Sequence, residues 1–297
     1  MILKGVGGLY TVFYRGTVFS CGARGNLRRD VGRLLTGDRV LLEEADAQAC
    51  TAVIAEVEPR KNCLVRPRVA NVDCLVLVLA AEYPAPDPML ADKLLIAARK
   101  AGIDPVLVIN KADRNEAAAN DLFSQYRNAA RCFLTDAQAE EGTAELFGAL
   151  SGRISVLAGQ SGVGKSTILN LAAGEGTMST GSLGEKSLRG RHTTRHAEIF
   201  PMSCPEAGEG SFIIDSPGFS LLELDVSCRD LPGYYPEVYN HTGKCRFQDC
   251  GHTGEPGCFV PELVKAGIFH EERYARYIKL YKELELKEKN RYRNRKG

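Results

Sequence analysis

The nine residues from Gly159 to Thr167 have the composition of a loop that binds phosphate groups. They fit the pattern G-x-x-x-x-G-K-[ST], with the apolar run ISVLA before them and the helical run STILNLAA after. The glycines let successive backbone N–H groups face a β-phosphate, Lys165 reaches the β- and γ-phosphates, and the Ser166 hydroxyl can ligate Mg²⁺. The pattern therefore predicts a nucleotide site formed by Gly159, Gln160, Ser161, Gly162, Val163, Gly164, Lys165, Ser166 and Thr167.

A second motif, Asn110-Lys111-Ala112-Asp113, follows the strand-like run PVLVI and predicts recognition of guanine. The Asp113 carboxylate would accept hydrogen bonds from guanine N1–H and the N2 amino group, while Asn110 ties the base site to the phosphate loop and the Lys111 stem covers the base. Adenine lacks this donor pair, so an unpaired buried carboxylate would disfavour ATP. A strand that ends in a polar helix cap would look similar, but beside a phosphate loop the motif indicates GTP and GDP.

The segment Asp215-Ser216-Pro217-Gly218 fits the D-x-x-G motif of nucleotide switches. Asp215 would hold Mg²⁺ through water, and the Gly218 N–H would contact the γ-phosphate. A switch threonine that ligates Mg²⁺ is expected between Lys165 and Asp215, where Thr193 and Thr194 both stand and Thr194 is favoured. The predicted catalytic residues are Lys165, Thr194, Asp215 and Gly218, and the predicted magnesium ligands are Ser166 and Thr194.

The residue after this motif is Phe219, where Ras-like GTPases place a glutamine that orients the attacking water. Phenylalanine cannot do so. Hydrolysis is therefore expected to be slow for the chain alone and faster with a partner or with another group, for which His192 is a candidate.

Three cysteines and a histidine near the C-terminus have the spacing of a metal site. The pattern C-x₄-C-x-H-x₅-C spans 14 residues of an irregular stretch. Three thiolates and an imidazole suit tetrahedral Zn²⁺, and with no open position the site would be structural. Three core cysteines beside an unrelated histidine are the alternative. The predicted zinc ligands are Cys245, Cys250, His252 and Cys258, whereas the other seven cysteines are interpreted as small apolar residues in a reducing compartment.

The elements that must position these motifs alternate between strands and helices from residue 72 onward. This alternation predicts a mostly parallel sheet with helices on both faces. The predicted strands are residues 72–80, 104–110, 131–135, 153–159, 196–200 and 211–215. The predicted helices are residues 88–101, 115–128, 143–150 and 165–173.

The order of the motifs is the informative part of this domain. A conventional GTPase runs from the phosphate loop to the switch threonine, D-x-x-G and N-K-x-D, whereas here Asn110 precedes Gly159. Reconnecting a domain through its surface loops keeps the site while moving the chain ends. The sequence thus predicts a circularly permuted α/β P-loop GTPase domain in which the switch starting at Asp215 leads directly into the zinc-binding module.

The flanking regions differ from this pattern. Residues 1–70 contain five short strand-like runs, at 9–14, 17–25, 37–44, 50–57 and 63–67, which predict a small barrel or sandwich. Residues 261–289 are predicted to be helical and to be followed by a basic tail. We therefore divide the chain into a β domain at 1–70, the GTPase domain at 71–225, and a zinc-binding domain with a helical tail at 226–297.

Charge is unevenly distributed along the 297 residues, although the net charge is only +1. Residues 1–70 and 273–297 carry net charges of +4 and +7, and the residues between carry −10. Basic ends on an acidic body suit a polyanion partner, although solvated surface is the alternative. No apolar run is long enough to span a membrane, and the N-terminus lacks a signal-peptide pattern. A cytoplasmic monomer without a membrane partner is expected.

Taken together, the N-K-A-D, GQSGVGKST, RHTT, DSPGF and C-x₄-C-x-H-x₅-C motifs in this order resemble the RsgA family of circularly permuted small ribosomal subunit biogenesis GTPases. The resemblance extends to the N-terminal segments RGNLR, GDRV and EPRKN. It implies an OB-fold RNA-binding domain, then the GTPase and then a zinc domain. It also implies docking on the small ribosomal subunit and its rRNA in the GTP state, late in maturation, and release after hydrolysis.

One departure from the family lies at the guanine site, where Asp136-Ala137 replaces Ser-Ala. The Ala137 N–H is expected to contact the base, while the serine of the family has no counterpart here. Two other functions stay open from the sequence: a GTP switch on another RNA, in tRNA modification or large-subunit assembly, and a non-enzymatic RNA-binding protein for which the nucleotide is only structural.

Overall fold

A six-stranded sheet lies at the centre of the computed structural model, which describes residues 1–25, 27, 32–64, 67–174, 197–215 and 224–294. The strand order is β10-β9-β8-β11-β13-β12, and every pair is parallel except β12 with β13. The strands are β8 (Cys74–Ala80), β9 (Asp104–Asn110), β10 (Arg131–Thr135), β11 (Ile154–Ala158), β12 (Glu198–Pro201) and β13 (Phe212–Asp215). The predicted strands of this domain are confirmed.

Helices cover both faces of this sheet, as the alternation of elements predicted. They are α1 (Pro88–Lys100), α2 (Glu116–Tyr126), α3 (Thr143–Leu150) and α4 (Lys165–Ala173). All seven residues of β8 are buried. Leu75, Leu77 and Leu79 pack with α1 and α2, whereas Val76 and Val78 pack with α3 and α4. A parallel strand covered on both faces is apolar without alternation, which explains the run CLVLVLA.

The N-terminal region forms a five-stranded sheet in the order β1-β2-β3-β5-β4, with β3 and β5 parallel. Its strands are β1 (Ile2–Val6), β2 (Leu9–Tyr14), β3 (Thr17–Ala23), β4 (Val40–Asp46) and β5 (Thr51–Val57). This order is that of the OB-fold, so the expected class is confirmed. Two details were wrong. The strand β1 was not predicted, because three glycines at residues 5, 7 and 8 hide it. In the described part of the stretch predicted at 63–67 the strand is β6 (Cys63–Leu64), which pairs with β7 (Val69–Ala70), a strand that was not predicted.

The C-terminal region is helical around the cysteine motif. It contains a 3₁₀ turn (Leu231–Tyr234), α5 (Pro236–Tyr239), α6 (Val260–Lys265) and α7 (Glu271–Asn294). The single helical stretch predicted over 261–289 is therefore two helices. Gly267, with φ +68°, lies in the turn between them, a backbone conformation that favours glycine. None of the described helices is both long and apolar enough to cross a membrane.

The zinc-binding module packs against α1 and α2 of the GTPase domain through buried charges. Arg273 is fully buried, and its Nε donates to Asp92 Oδ1 at 3.1 Å while its Nη1 donates to Glu237 Oε1 at 2.8 Å. The Arg276 Nε donates to the other Asp92 oxygen at 2.6 Å. Burial alone lowers the pKa of Arg273, but the Asp92 and Glu237 carboxylates raise it overall, so the guanidinium stays charged.

Apolar and backbone contacts complete this interface. Ile96 of α1 belongs to the same buried cluster as Tyr235, Phe269 and Tyr277 of the module. The Arg99 Nη1 donates to the Tyr234 carbonyl at 2.8 Å, and burial lowers the pKa of Arg99 to about 10. The module is thus anchored on the helices of the GTPase domain.

The OB domain packs on β12 and β13, at the other end of the central sheet. The Phe13 and Phe212 rings meet edge to face at 5.4 Å. The Lys4 Nζ donates to Glu198 Oε2 at 2.8 Å, and the Thr36 hydroxyl donates to the Ala197 carbonyl at 3.3 Å. These contacts involve strands and loops rather than helices.

Candidate functional site

The phosphate-loop residues lie between β11 and α4, as predicted. Gly159 has φ +132°, and a Cβ there would lie 2.2 Å from the Val78 carbonyl oxygen. Gly164 has φ +106°, and its Cβ would lie 2.1 Å from the Asn110 Nδ2. Both positions thus require glycine for conformation and for space, which explains the spacing of the motif. The helix α4 begins at Lys165, and Ser166 is exposed in its first turn.

The Lys165 side chain folds over its own loop. Its Nζ donates to the Gly159 carbonyl at 2.9 Å and to the Gln160 carbonyl at 2.6 Å. Burial lowers the pKa of Lys165, although the nearby Asp215 carboxylate opposes the shift. An ammonium held over the loop by carbonyls is positioned to exchange those partners for phosphate oxygens.

Asn110 connects the guanine side of the site to the phosphate side. Its Nδ2 donates to the Val163 carbonyl at 2.9 Å. Its Oδ1 accepts from the Thr135 hydroxyl at 3.1 Å and from the Ala137 N–H at 2.9 Å. The Ala137 N–H, which was expected to contact the base, therefore has Asn110 as its partner in this structure. A guanine oxygen would have to share or replace that bond.

Lys111 has a left-handed backbone, with φ +59°. Its Nζ donates to the carbonyls of Tyr83 and Gly162, both at 2.8 Å. Burial lowers the pKa of Lys111, with a smaller contribution from Arg114. The Lys111 stem thus bridges from the N-K-x-D motif to the phosphate loop, along the side that the predicted base would occupy.

These contacts border a cavity of about 380 Å³. It is lined by Asn110, Lys111, Asp113, Arg114, Asp136, Ala137, Gln138, Gly164 and Thr167. Asp113, Ala137 and Thr167 are thus placed around one space, as the guanine-site prediction requires. The carboxylate of Asp136 accepts the Gln138 N–H at 2.9 Å, so this residue forms the turn below Ala137.

The switch residues are only partly within the described chain. Asp215 ends β13 and is the cross-strand partner of Glu198. Thr193, Thr194, His192, Gly218 and Phe219 lie outside the described residues.

The four predicted metal ligands come together in the C-terminal module. Their ligand atoms all lie within 4.8 Å of one another. The His252 Nδ1 is 3.5 Å from the Cys245 Sγ and 3.6 Å from the Cys258 Sγ. A tetrahedral zinc site with ordinary Zn–S and Zn–N bonds would separate sulfur and nitrogen by about 3.6 Å. The donor set and the spacing therefore fit Zn²⁺.

Other residues hold the loop that carries these ligands. The Glu255 carboxylate accepts the N–H groups of Gly251 and Thr253, at 2.9 and 2.7 Å. From α7, the Tyr274 hydroxyl donates to the His252 carbonyl at 3.0 Å, and the Tyr277 hydroxyl donates to the Gly251 carbonyl at 2.7 Å. Ligand orientation by such surrounding hydrogen bonds is typical of metal sites.

Comparison with known proteins supports the same interpretation. The model of the RsgA GTPase family matches residues 57–225, and that of the RsgA N-terminal domain matches residues 1–52. The chain belongs to the RsgA family. A small ribosomal subunit biogenesis GTPase RsgA from Ruminiclostridium cellulolyticum is 42% identical over 288 residues, covering 96% of this chain and 93% of the relative. A protein of the same name from Caldanaerobacter subterraneus is 39% identical, covering 99% and 98%.

Solved structures agree with the fold of this RsgA family member. The crystal structure of YjeQ from Thermotoga maritima has a TM-score of 0.77 at 32% identity, with 95% of this chain and 96% of that chain covered. YloQ, described as a circularly permuted GTPase, has a TM-score of 0.76 at 28% identity, with 96% and 94% covered. The OB-fold, the permuted GTPase and the GTP-hydrolysing class are thereby confirmed.

Sequence reasoning missed several residues that support the sites of this RsgA family member. Thr135 contacts Asn110, and Tyr83 contacts Lys111. The zinc loop is held by Glu255, Tyr274 and Tyr277. Tyr83 contributes only its carbonyl to the contact with Lys111, which no side-chain pattern reveals. The tyrosines 274, 277 and 281 do recur at helical spacing on α7, and that signal pointed to one face of the helix without showing what it meets.

Proposed function

We propose that this chain is a GTP-hydrolysing switch that docks on the small ribosomal subunit in its GTP state, assists late maturation and leaves after hydrolysis. The observation that supports this best is the buried amide of Asn110, which joins the guanine motif to the phosphate loop around one cavity. The relatives named as small ribosomal subunit biogenesis GTPases supply the partner.

In this proposal the chain's own groups bind and orient GTP. Asp113 pairs with the guanine edge, the loop from Gly159 to Gly164 surrounds the phosphates, and Lys165 moves from its loop carbonyls to the β- and γ-phosphates. Ser166 and Thr194 would hold Mg²⁺, which neutralises charge on the phosphates. Asp215 would contact it through water, and Gly218 would contact the γ-phosphate. Because Phe219 cannot orient the attacking water, another group must do so.

The remaining regions have separate roles in this proposal. Cys245, Cys250, His252 and Cys258 hold one structural Zn²⁺ in the domain at 226–297. The OB domain at 1–70 and the basic end of the chain contact rRNA phosphates, on either side of the acidic GTPase domain at 71–225. The chain acts as a monomer in the cytoplasm.

The test compares binding and turnover. Pelleting with isolated small subunits should be stronger with a non-hydrolysable GTP analogue than with GDP, should weaken steeply with salt, and turnover should rise when subunits are added. Large subunits and tRNA serve as matched controls. Stimulation by large subunits or tRNA instead would assign the switch to another RNA. Equal pelleting in both nucleotides would contradict a GTP-dependent switch.

Base recognition is tested by Asp113→Asn. The new amide nitrogen can donate to the 2-oxo group of xanthine but cannot accept from the guanine 2-amino group. Affinity should therefore fall for GTP and rise for xanthosine triphosphate by tenfold or more, where each factor of ten corresponds to about 1.4 kcal/mol. Nucleotide titration by fluorescence measures both. Asp104→Asn is the matched control, because Asp104 is exposed at the opposite end of β9. Unchanged GTP affinity in Asp113→Asn would contradict the assignment.

A further inference from the structure

The OB domain contacts the GTPase domain at the point where both switch segments join the central sheet. Ala197, whose carbonyl accepts the Thr36 hydroxyl, lies three residues after Thr194, the predicted switch threonine, in the chain. Glu198, the partner of Lys4, begins β12. Glu198 is also the cross-strand partner of Asp215, from which the second switch leaves. In the β12–β13 pair, the cross-strand pair of Glu198 and Asp215 therefore connects the end of the first switch segment to the start of the second.

The two contacting residues of the OB domain belong to one rigid unit. Lys4 lies on β1, and Thr36 lies on the segment that β1 is bonded to, because the Gly37 N–H donates to the Ile2 carbonyl at 2.8 Å and the Ile2 N–H donates to the Asp38 carbonyl at 2.9 Å. The fully buried Asp38 is held in turn by Arg60, whose Nε donates at 2.7 Å. A displacement of the OB domain would therefore move Lys4 and Thr36 together.

The two polar bonds of this contact are weaker than those on the zinc side, and Leu3 packs beside them in the buried cluster that contains Ala197 and Ile199. The Lys4 and Glu198 side chains are 37% and 35% exposed, so water screens their attraction. Thr36 is buried, yet its bond to Ala197 is long at 3.3 Å. Neither bond would resist a small shift of β12, unlike the buried pairs that hold the zinc-binding module.

We propose that Lys4 and Thr36 couple the position of the OB domain to both switch segments through Glu198 and Ala197, and so transmit the stimulation of hydrolysis by a bound subunit. We call this set of four residues the OB latch. The proposal rests on the proposed function, since it supplies the route by which a subunit that binds the OB domain alters the nucleotide site. Because coupling between two binding sites is reciprocal, the bound nucleotide should also alter the position of the OB domain.

The first test measures stimulation of turnover. Lys4→Met and Thr36→Val should hydrolyse GTP alone at the wild-type rate, while stimulation by small subunits and the preference for the GTP state should each fall about fivefold or more. The control is Lys93→Met, which removes a partly exposed ion pair between α1 and α7 on the zinc side, with 3.3 Å to Glu283. It should behave as wild type. Undiminished stimulation in both latch variants would overturn the proposal.

A charge swap separates coupling from simple packing. Lys4→Glu alone should lose stimulation, and the double variant with Glu198→Lys should recover it, because the ion pair is re-formed in the opposite sense. A double variant as poorly stimulated as Lys4→Glu would remove the ion pair from the latch.

The second test needs no subunit. Hydrogen exchange of residues 2–5 and 36–38 should differ between GDP and a non-hydrolysable GTP analogue in the wild type, and the difference should vanish in the latch variants. If the wild type shows no difference, the latch is overturned even where subunits stimulate turnover. If the difference is present but no subunit stimulates, the latch stands and the ribosomal assignment fails.

Discussion

The two flanking domains attach to the GTPase domain by interfaces of opposite kinds. The zinc-binding module buries Arg273 completely between Asp92 and Glu237. The OB domain instead uses the half-exposed pair of Lys4 and Glu198, together with apolar packing of Leu3 and Phe13 against β12 and β13. Breaking a buried pair costs far more than breaking an exposed one, so the ion pairs of the first interface resist motion more than the ion pair of the second.

This difference bears on how the switch could act. The second switch leads along the chain into the zinc-binding module, which by connectivity alone would make that module the moving part. The contacts point the other way, because the module is anchored on α1 and α2, whereas the OB domain meets the sheet beside both switches. Proximity along the chain and mechanical coupling are thus separate properties.

The largest expected effect is the unfolding of the zinc-binding module when its metal is lost. Structural zinc sites in small peptides contribute about 10–16 kcal/mol, so Cys250→Ser or a strong chelator should unfold residues 235–260 while nucleotide binding persists in its separate domain. Metal analysis should find one Zn²⁺ per chain, and limited proteolysis should report the unfolding. Cys63→Ser, at an exposed cysteine far from the cluster along the chain, is the control. Full metal content in a Cys245 and Cys250 double variant would refute the ligand set.

The next largest effect is expected at the buried ion pairs. Asp92→Asn keeps the size of the side chain but leaves Arg273 and Arg276 without a carboxylate they share, so the free energy of unfolding should fall by about 3–5 kcal/mol. Denaturation in urea measures this. Asp104→Asn, on an exposed pair 3.8 Å from Arg153, should change stability by less than about 0.5 kcal/mol. Equal effects of the two substitutions would show that the buried pairs do not anchor the module.

The smallest effects should come from the exposed pairs at the two interfaces. Lys4→Met and Lys93→Met should each change the free energy of unfolding by less than about 1 kcal/mol, and the change should shrink further in high salt. The two substitutions should therefore lower stability equally, whereas only Lys4→Met should reduce the stimulation of turnover by small subunits. A loss of several kcal/mol in Lys4→Met would mean that the OB interface is as fixed as the zinc side.

Sequence patterns are most informative where a feature is local. The phosphate loop and the cysteine motif were predicted because their residues lie within 9 and 14 positions of one another. The strands and helices of the GTPase domain were predicted because apolar residues recur at the period of each element.

Features built from distant residues were not predictable. Arg273 and Asp92 are 181 residues apart, and Lys4 and Glu198 are 194 apart. All four are residue types that usually face water, so no pattern marks them as partners. The break between α6 and α7 and the strand β1 were missed for a smaller reason, since glycines in both places weaken the expected periodicity.

The bond between Asn110 and Val163 also has a consequence for synthesis. The guanine half of the site is translated first, and Val163 leaves the ribosome 53 residues after Asn110. At about 5–20 residues per second, that delay is roughly 3–10 seconds. For most of this delay β8 is paired on one side only, with β9, because its neighbour on the other edge, β11, begins only at Ile154. A nascent chain of this order is therefore expected to expose an unpaired apolar edge that a conventional motif order, starting from the phosphate loop, would have covered from the beginning.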